Sequence, residues 1–382
     1  MADTLVVSDL EKSDTGLVSM RLKADEIDDE LWFQLPHGFK PHSDQVAAAI
    51  GAVFGNRFET IEFDAPLTAR VVEKLGSATG TQWKVPSTCP DGPVGGESIT
   101  LSFSGGFDSL AALAVLGDLA NLVSIDFGGG FERERRFFSK FDPAMIGTNA
   151  RKFESSWTFM GLGVILLREF YEADYFAFGS IFEASPWNFL SRTGRMRSHP
   201  IFEAAGLTAV NPIVGLSEFA TAELAVRQYP EKIVDSLISL ASVKSEKFYR
   251  KTLMLELSKR RNGLTIDTRS LPASEWESRL QIGKSFAADF LAPGMFNFLG
   301  SKASQWMETP GAFVDNFAEL SLDFYWRDNT ENIMDVPPRI AAKIASRKAE
   351  LGIESYRSRD WDELREVISF LKLYHSFPGR TF

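Results

Sequence analysis

The residues with the clearest chemical potential stand in one short segment, SGGFDS, at 104–109. A strand-like apolar run precedes it at 99–103, and a continuous apolar run follows it at 110–116. Gly105 and Gly106 permit positive φ and a close approach of the backbone to a ligand. A turn from a strand into a helix also presents backbone N–H groups and the positive end of the helix dipole, which favour anions such as phosphate. The segment therefore predicts either an anion cradle or a plain capped turn.

The side chains of this segment fit both interpretations. Ser104 and Ser109 can donate hydroxyl hydrogen bonds to phosphate oxygens. Asp108 would repel phosphate, so its predicted role is to ligate Mg²⁺ or to anchor the helix N-terminus. The spacing and the missing lysine exclude a Walker A loop, and the segment is not a GxGxxG turn either. Local physics alone leaves the cradle and the capped turn open.

Length and composition limit the class of protein. A chain of 382 residues is long for a single core, which favours two or three domains. The net charge of -10 argues against a general nucleic-acid binder. No stretch approaches the roughly 20 apolar residues of a membrane span, and no signal peptide is recognisable. Cys89 is the only cysteine, which excludes a disulfide framework and a cysteine-based zinc site. We expect a cytoplasmic protein.

The elements that must position the segment form three regions. Residues 1–95 read as a small α+β domain, and the Pro- and Gly-rich stretch at 86–98, which overlaps its end, is the predicted linker. Residues 96–262 alternate between strands and helices, which predicts a parallel sheet covered on both faces. Residues 263–382 read as a helix-rich region with many aromatic side chains. The predicted fold class is therefore α/β, a doubly wound parallel sheet. Its predicted strands are 99–103, 121–128, 174–180 and 207–217, with helices at 108–119, 161–173 and 218–230.

The segment at 104–109 matches the SGGxDS signature of the PP-loop ATP pyrophosphatases, whose fold is adenine nucleotide alpha-hydrolase-like. Three later stretches resemble 7-cyano-7-deazaguanine synthase-like proteins. They are SIDFGGG at 124–130, DYFAFGS at 174–180 and NPIVGLSEFATAELAVRQYPE at 211–231. The resemblance covers about 98–260, and its specific part is the first motif.

The resemblance implies an ATP-dependent ligase. In such enzymes a carboxylate or carbonyl oxygen attacks the α-phosphate of ATP, pyrophosphate leaves, and a nitrogen nucleophile then displaces AMP. Catalysis of this kind is mainly positioning and electrostatics. The resemblance implies ATP and Mg²⁺ as cofactors, Asp108 as the metal ligand, and Ser104 and Asp108 as catalytic residues. Arg195 is a further catalytic candidate because of its positive charge, and not because of the resemblance. The implied nucleotide-binding residues are Ser104, Gly105, Gly106, Phe107, Asp108, Ser109, Ile125, Asp126, Phe127 and Gly179.

The chain departs from the resembled proteins on the helix after the last strand. Those proteins carry a lysine there, whereas this sequence has Thr221 or Glu218 at the corresponding place. Positive charge could come instead from the arginines of SRTGRMRSHP at 191–200, or that stretch is a solvated basic loop. Glu183 is a candidate base or Mg²⁺ ligand by its position alone.

A second departure concerns the end of the domain. The resembled proteins have a zinc-binding cysteine cluster, but here RKTL at 250–253 lacks any cysteine, so we expect no zinc. Apolar packing is expected to replace the metal, through Phe248, Tyr249, Leu253, Met254 and Leu257. The basic residues Lys244, Lys247, Arg250 and Lys251 could serve phosphate or substrate, or form a solvated helix face.

Two functions of different classes stay open from the sequence. The first is the C–N bond-forming ligase, whose substrate would be a small-molecule acid or a nucleobase-like compound. The second is a catalytically degenerate nucleotide-binding subunit of a multi-protein system, for example one of defence or modification. The departures above and the additional terminal regions motivate the second function. A protein partner and a homodimer are open in both cases, whereas membrane and general nucleic-acid partners are not expected.

Overall fold

The computed structural model describes residues 4–190, 198–310, 313–333 and 337–379. Its strands are β1 Thr4–Lys12, β2 Leu17–Ala24, β3 Ile27–Gln34, β4 Thr60–Phe63, β5 Leu67–Thr68, β6 Gln82–Lys84, β7 Thr88–Cys89, β8 Ser98–Ser102, β9 Ala120–Asp126, β10 Ala144–Thr148, β11 Ala173–Ala177, β12 Thr208–Ala209, β13 Leu280–Gln281 and β14 Met307–Glu308. Its α-helices are α1 Ser43–Phe54, α2 Ala69–Thr79, α3 Phe107–Leu116, α4 Glu132–Phe138, α5 Leu162–Leu166, α6 Pro200–Ala204, α7 Glu218–Gln228, α8 Ile233–Leu240, α9 Glu246–Asn262, α10 Phe286–Leu299, α11 Phe313–Phe317, α12 Pro338–Glu350 and α13 Ser358–Leu371.

One mixed sheet of ten strands dominates the α/β architecture, in the order β12-β11-β8-β9-β10-β3-β2-β1-β4-β6. The five strands from β12 to β10 are parallel to one another. β10 then pairs antiparallel with β3, through Gly147 opposite Gln34 and Thr148 opposite Phe33. The hairpins from β3 to β1 are antiparallel, and β4 and β6 again pair in parallel. The parallel sheet predicted from 99–217 is therefore one half of a larger mixed sheet.

The antiparallel strands form because their apolar residues alternate. In β2 the side chains of Val18, Met20 and Leu22 are buried, and their neighbours along the strand face the other side. A period of two is the pattern of a strand with one buried face. In α1 every residue after Ser43 is buried. The buried side chains of β2 and the apolar side chains of α1 belong to one hydrophobic cluster, which also includes residues from the parallel strands.

The described residues form two compact units that interleave along the chain. The first draws on Met1–Ser104, Asp118–Phe178 and Arg197–Val210, and it contains the ten-stranded sheet. The second draws on Gly105–Gly117, Gly179–Met196 and Asn211–Phe382, and it contains α3 and the helices from α7 onward. Neither unit begins or ends at residue 95 or 262, and the division into three domains stays a prediction from the sequence.

Several elements differ from the sequence expectations for local reasons. The helix predicted over 161–173 is confined to α5, because the chain then turns and Glu172 adopts a left-handed φ of 47° before β11. The strand predicted over 207–217 shortens to β12. The sequence does not predict β10, because Ile146 is its one buried apolar side chain and the apolar pattern is weak. Among the described residues no helix has the length and apolar character needed to cross a membrane.

Candidate functional site

The glycine turn leads directly into the first helix of the second unit. Gly105 has a φ of 76°, a left-handed conformation that side chains disfavour. Gly106 is the N-cap residue of α3, and the hydroxyl of Ser109 donates to the Gly106 carbonyl at 2.9 Å. The hydroxyl of Ser236 on α8 donates to the Gly105 carbonyl at 2.6 Å. These contacts fix the carbonyl groups of the turn at the start of α3.

Gly179 lies directly against the first turn of α3. A Cβ atom at this position would stand 2.8 Å from the Asp108 carbonyl carbon and 2.8 Å from the Ser109 backbone nitrogen. Real Cβ atoms do not approach backbone so closely, so only glycine fits without a shift of the helix start. The resemblance implied a nucleotide contact for Gly179, and the structure adds a packing reason for a glycine there.

Asp108 is the centre of a charged cluster built from three helices. Its Oδ1 accepts a hydrogen bond from the Thr221 hydroxyl at 2.7 Å. The Lys251 ammonium lies 3.2 Å from Oδ1 and 3.4 Å from Oδ2. The same ammonium lies 2.7 Å from the carboxylate of Glu218 and 5.1 Å from the ring centre of Phe107. Lys251 of α9 therefore bridges a carboxylate on α3 and another on α7.

The cluster continues through Arg250, whose guanidinium pairs with Glu218 and, at 2.7 Å, with Glu246. Glu246 also accepts a hydrogen bond from the indole nitrogen of Trp306 at 2.6 Å. The side chains of Lys251 and Glu218 are 1% and 5% exposed, so their charges are compensated almost without water. Buried ions of this kind are stable only when each keeps its partners.

Glu183 is the buried carboxyl group beside this cluster. Its Oε1 accepts a hydrogen bond from the backbone nitrogen of Glu218 at 2.8 Å, at the start of α7. Its Oε2 is buried and has no hydrogen-bond partner. Burial raises the pKa of Glu183 to about 8, and the negative charge of Asp108 adds to the shift against the opposing charges of Arg250 and Lys251. Glu183 therefore holds a proton at neutral pH.

The pKa of Asp108 is shifted in the opposite direction to that of Glu183. Partial burial alone would raise the pKa of Asp108, but the charges of Lys251 and Lys247 and the hydrogen bond from Thr221 outweigh it. The pKa of Asp108 consequently lies below its usual value, and the group is ionised at neutral pH. Burial lowers the pKa of Lys251, and the charge of Asp108 opposes that shift.

The remaining candidate residues belong to the first unit or lie outside the described residues. Ser104 is exposed, after the end of β8. Ile125 and Asp126 end β9, and the Asp126 carboxylate accepts the backbone N–H of Gly128 at 2.9 Å. Phe127 follows, with its ring against two other phenylalanine rings, Phe131 and Phe159. Arg192, Arg195 and Arg197 lie outside the described residues.

The structure thus brings together the turn at 105–109, Gly179 and Glu183. Thr221 and Glu218 of α7, where the resembled proteins carry a lysine, belong to the same cluster. The structure also adds Lys251 and Arg250, for which a solvated helix face was one expectation. That expectation is wrong for these two side chains, which are buried to 1% and 15% exposure. The helical spacing could have predicted the burial of Lys251, because this residue falls on the face of α9 that buries Phe248 and Leu255.

Mg²⁺ would meet an unfavourable set of groups at Asp108. An ammonium already bridges Asp108 and Glu218, and a hydroxyl donates to the oxygen that Asp108 would offer. Within the part of the chain that the structure describes, no group of three or more His, Cys, Asp or Glu side chains is arranged to hold a metal ion. The donors around Asp108 suit a fixed ammonium rather than a directly bound metal.

Comparisons of the chain with protein-family models, with curated proteins and with solved structures gave no match.

Proposed function

We propose that the chain binds ATP at the SGGFDS segment and activates a carboxylate or carbonyl oxygen by adenylation, with a nitrogen nucleophile as the final acceptor. The observation that carries the proposal is the segment itself. A strand ends at Ser102, Gly105 supplies a left-handed turn, and α3 begins at Phe107. This local form is the one that binds phosphate groups at helix N-termini.

The order of the parallel strands supports the same proposal. Counted along the chain from β8 to β12, the strands lie in the order 3-2-1-4-5, so the direction of winding reverses between β8 and β11. Doubly wound sheets bind nucleotides beyond the carboxyl ends of their strands at this kind of reversal. Both the glycine turn and Gly179 follow strands that border it. The adenine nucleotide alpha-hydrolase-like fold is part of the proposal.

The proposed roles follow from the contacts of each residue. The backbone of the turn and the N-terminus of α3 would hold the departing pyrophosphate, with the Ser104 hydroxyl as a further donor. The Ser109 hydroxyl already donates to the Gly106 carbonyl, so Ser109 would contribute through its backbone. The carboxylate or carbonyl oxygen of the substrate forms a bond to the α-phosphorus of ATP, and the bond from that phosphorus to the pyrophosphate oxygen breaks. Lys247 and Lys251 of α9 supply positive charge on the α3 side, since both lower the pKa of Asp108. Arg195 stays a predicted catalytic residue.

The proposal is tested by replacing Gly105 with alanine. A Cβ atom in a left-handed conformation costs about 1–2 kcal/mol and shifts the turn away from its phosphate-binding form. We expect Gly105→Ala to weaken ATP binding by about tenfold or more, measured by titration calorimetry with ATP and Mg²⁺. The same samples, given a panel of acids and amines at an ATP concentration near the wild-type Kd, should release pyrophosphate faster in the wild type than in the variant.

Gly80→Ala is the matched control. Gly80 has a φ of 69° at the end of α2 and open space around it, so alanine there carries the same backbone strain. We expect both variants to lose similar stability, whereas only Gly105→Ala loses ATP affinity. Equal ATP affinity in the two variants would contradict the proposal. If ATP binds but releases no pyrophosphate in the presence of any acid of the panel, the alternative is favoured, a nucleotide-binding subunit without turnover.

A further inference from the structure

The position of the Lys251 ammonium is the feature that carries furthest beyond the proposed reaction. Nζ lies 2.7 Å from a Glu218 oxygen and 3.2 Å from an Asp108 oxygen. A point between two carboxylates is where a divalent cation would otherwise be held. In this chain the point is filled by a positive charge that is covalently part of α9.

The surroundings keep that charge in place. The Lys251 side chain is 1% exposed and lies over the Phe107 ring. The adjacent Arg250 pairs with Glu218 and with Glu246, which holds this turn of α9 against α7. If Lys251 moved away, Asp108 would lose a direct cationic contact, and Glu218 would lose one of the two cationic partners described here. Removal of one member from such a buried network is unfavourable.

The hydrogen bonds that Asp108 already accepts also leave little room for a metal ion at its carboxylate. Oδ1 already accepts from Thr221 and Lys251, and Oδ2 lies 3.4 Å from the same ammonium. A metal ion bound to either oxygen would approach the ammonium at close range and be repelled. Thr221 is a hydroxyl donor to Asp108, so it orients the carboxylate toward Lys251 rather than toward a second cation.

We infer that Lys251 is a built-in cation that takes the place of a metal ion at Asp108 and excludes divalent metal from direct binding there. Asp108 is then a positioning residue, which holds Lys251 at the start of α3. Any Mg²⁺ that enters with a nucleotide is held by phosphate oxygens and water. The inference rests on the proposed function only for that last statement, because metal exclusion at Asp108 needs no nucleotide.

The experiment measures Mn²⁺ binding by electron paramagnetic resonance on the full chain without nucleotide. The proteins are the wild type, Asp108→Asn, Lys251→Met, Lys251→Arg and the double variant Lys251→Met/Asp108→Asn. We expect the wild type and Asp108→Asn to bind Mn²⁺ equally weakly. Lys251→Met should gain a site that is tighter by about tenfold or more, absent from the double variant and from Lys251→Arg.

Two results would overturn the inference. One is wild-type Mn²⁺ binding that weakens about tenfold in Asp108→Asn, since Asp108 would then ligate metal beside Lys251. The other is a folded Lys251→Met protein, shown by its near-ultraviolet circular dichroism, that gains no site. If Lys251→Met does not fold, the wild type and Asp108→Asn still decide the question. The absence of ATP binding to every protein would refute the proposed function and leave these metal measurements interpretable.

Discussion

Two carboxyl groups of the second unit, those of Asp108 and Glu183, differ in protonation at neutral pH although they lie near the same charged side chains. Asp108 stays ionised beside Lys251, whereas Glu183 keeps its proton although it lies near the same charges. The difference follows from access to partners. Asp108 has a hydroxyl and an ammonium at its oxygens, while one oxygen of Glu183 is buried without a partner. A carboxyl in the second situation is stable only in its neutral form.

The protonated state of Glu183 predicts a pH-dependent stability. The pKa of Glu183 is about 8 in the folded chain and close to its ordinary value after unfolding, so its stabilising contribution is complete at low pH. That contribution is lost as the pH rises from the ordinary value through about 8, by up to about 1.4 kcal/mol per pH unit. Glu183→Gln keeps the shape without the proton equilibrium. We expect its free energy of unfolding to exceed that of the wild type increasingly from pH 5 to 8.

Urea unfolding at three pH values measures this difference. Glu277→Gln is the matched control, because Glu277 is exposed, and its curve should run parallel to that of the wild type. Parallel behaviour of Glu183→Gln and the wild type between pH 5 and 8 would show that Glu183 ionises normally.

Helix α9 both positions charged side chains and packs an apolar face. Its first half delivers Arg250 and Lys251 to the charged cluster, and its apolar face packs into the second unit. The buried apolar residues include Phe248, Leu253 and Met254, which the sequence assigned to packing in place of a metal cluster. The helix ends in a left-handed cap at Gly263.

The packing of α9 predicts a large effect for Phe248→Ala. Phe248 is fully buried, and truncation leaves a cavity, so we expect a loss of about 3–5 kcal/mol in the free energy of unfolding. Because Lys251 lies one turn away, ATP affinity should also fall. Glu256→Ala on the exposed side of α9 should stay within about 0.5 kcal/mol of the wild type. Denaturant unfolding measures both, and similar values would contradict the assigned role of α9.

At the scale of the whole molecule, one continuous sheet joins segments that the sequence placed in separate domains. Asn149 reinforces the junction of β10 with β3, since its Oδ1 accepts from the Trp32 nitrogen at 3.0 Å and its amide donates to the Glu30 carbonyl at 2.7 Å. The Thr148 hydroxyl adds a hydrogen bond to the Trp32 carbonyl at 2.8 Å. These side chains lengthen a strand pairing that spans two residue pairs.

The junction predicts that Asn149→Ala is destabilising. Two backbone groups of β3 lose their side-chain partner, and we expect a loss of about 1–3 kcal/mol in the free energy of unfolding. Glu154→Ala, at an exposed position nearby along the chain, should change it by no more than about 0.5 kcal/mol. Urea unfolding gives both values. An Asn149→Ala variant as stable as this control would mean that water replaces both hydrogen bonds without cost.

Features that depend on near neighbours in the chain can be recognised from the amino-acid sequence. The glycine turn and the helix that follows it, the alternation in β2 and most of the parallel strands follow from local patterns of apolar and small residues. The residues that cause such a local structure are neighbours in the chain, so the pattern can be recognised without knowledge of the fold. The exceptions, β10 and the shortened α5, are elements whose local signal is weak or misleading.

Which charged side chains contact one another depends on the fold, because the partners are far apart in the chain. Asp108 and Lys251 are 143 residues apart in the chain, and Thr221 comes from a third helix. A lysine in a basic stretch carries no sign of its partner, and its burial depends on how α3, α7 and α9 pack. The sequence therefore pointed to a missing lysine on α7. The structure places Lys251 of α9 against Asp108 instead, because the packing of α3, α7 and α9 brings a cation from a distant helix to this carboxylate.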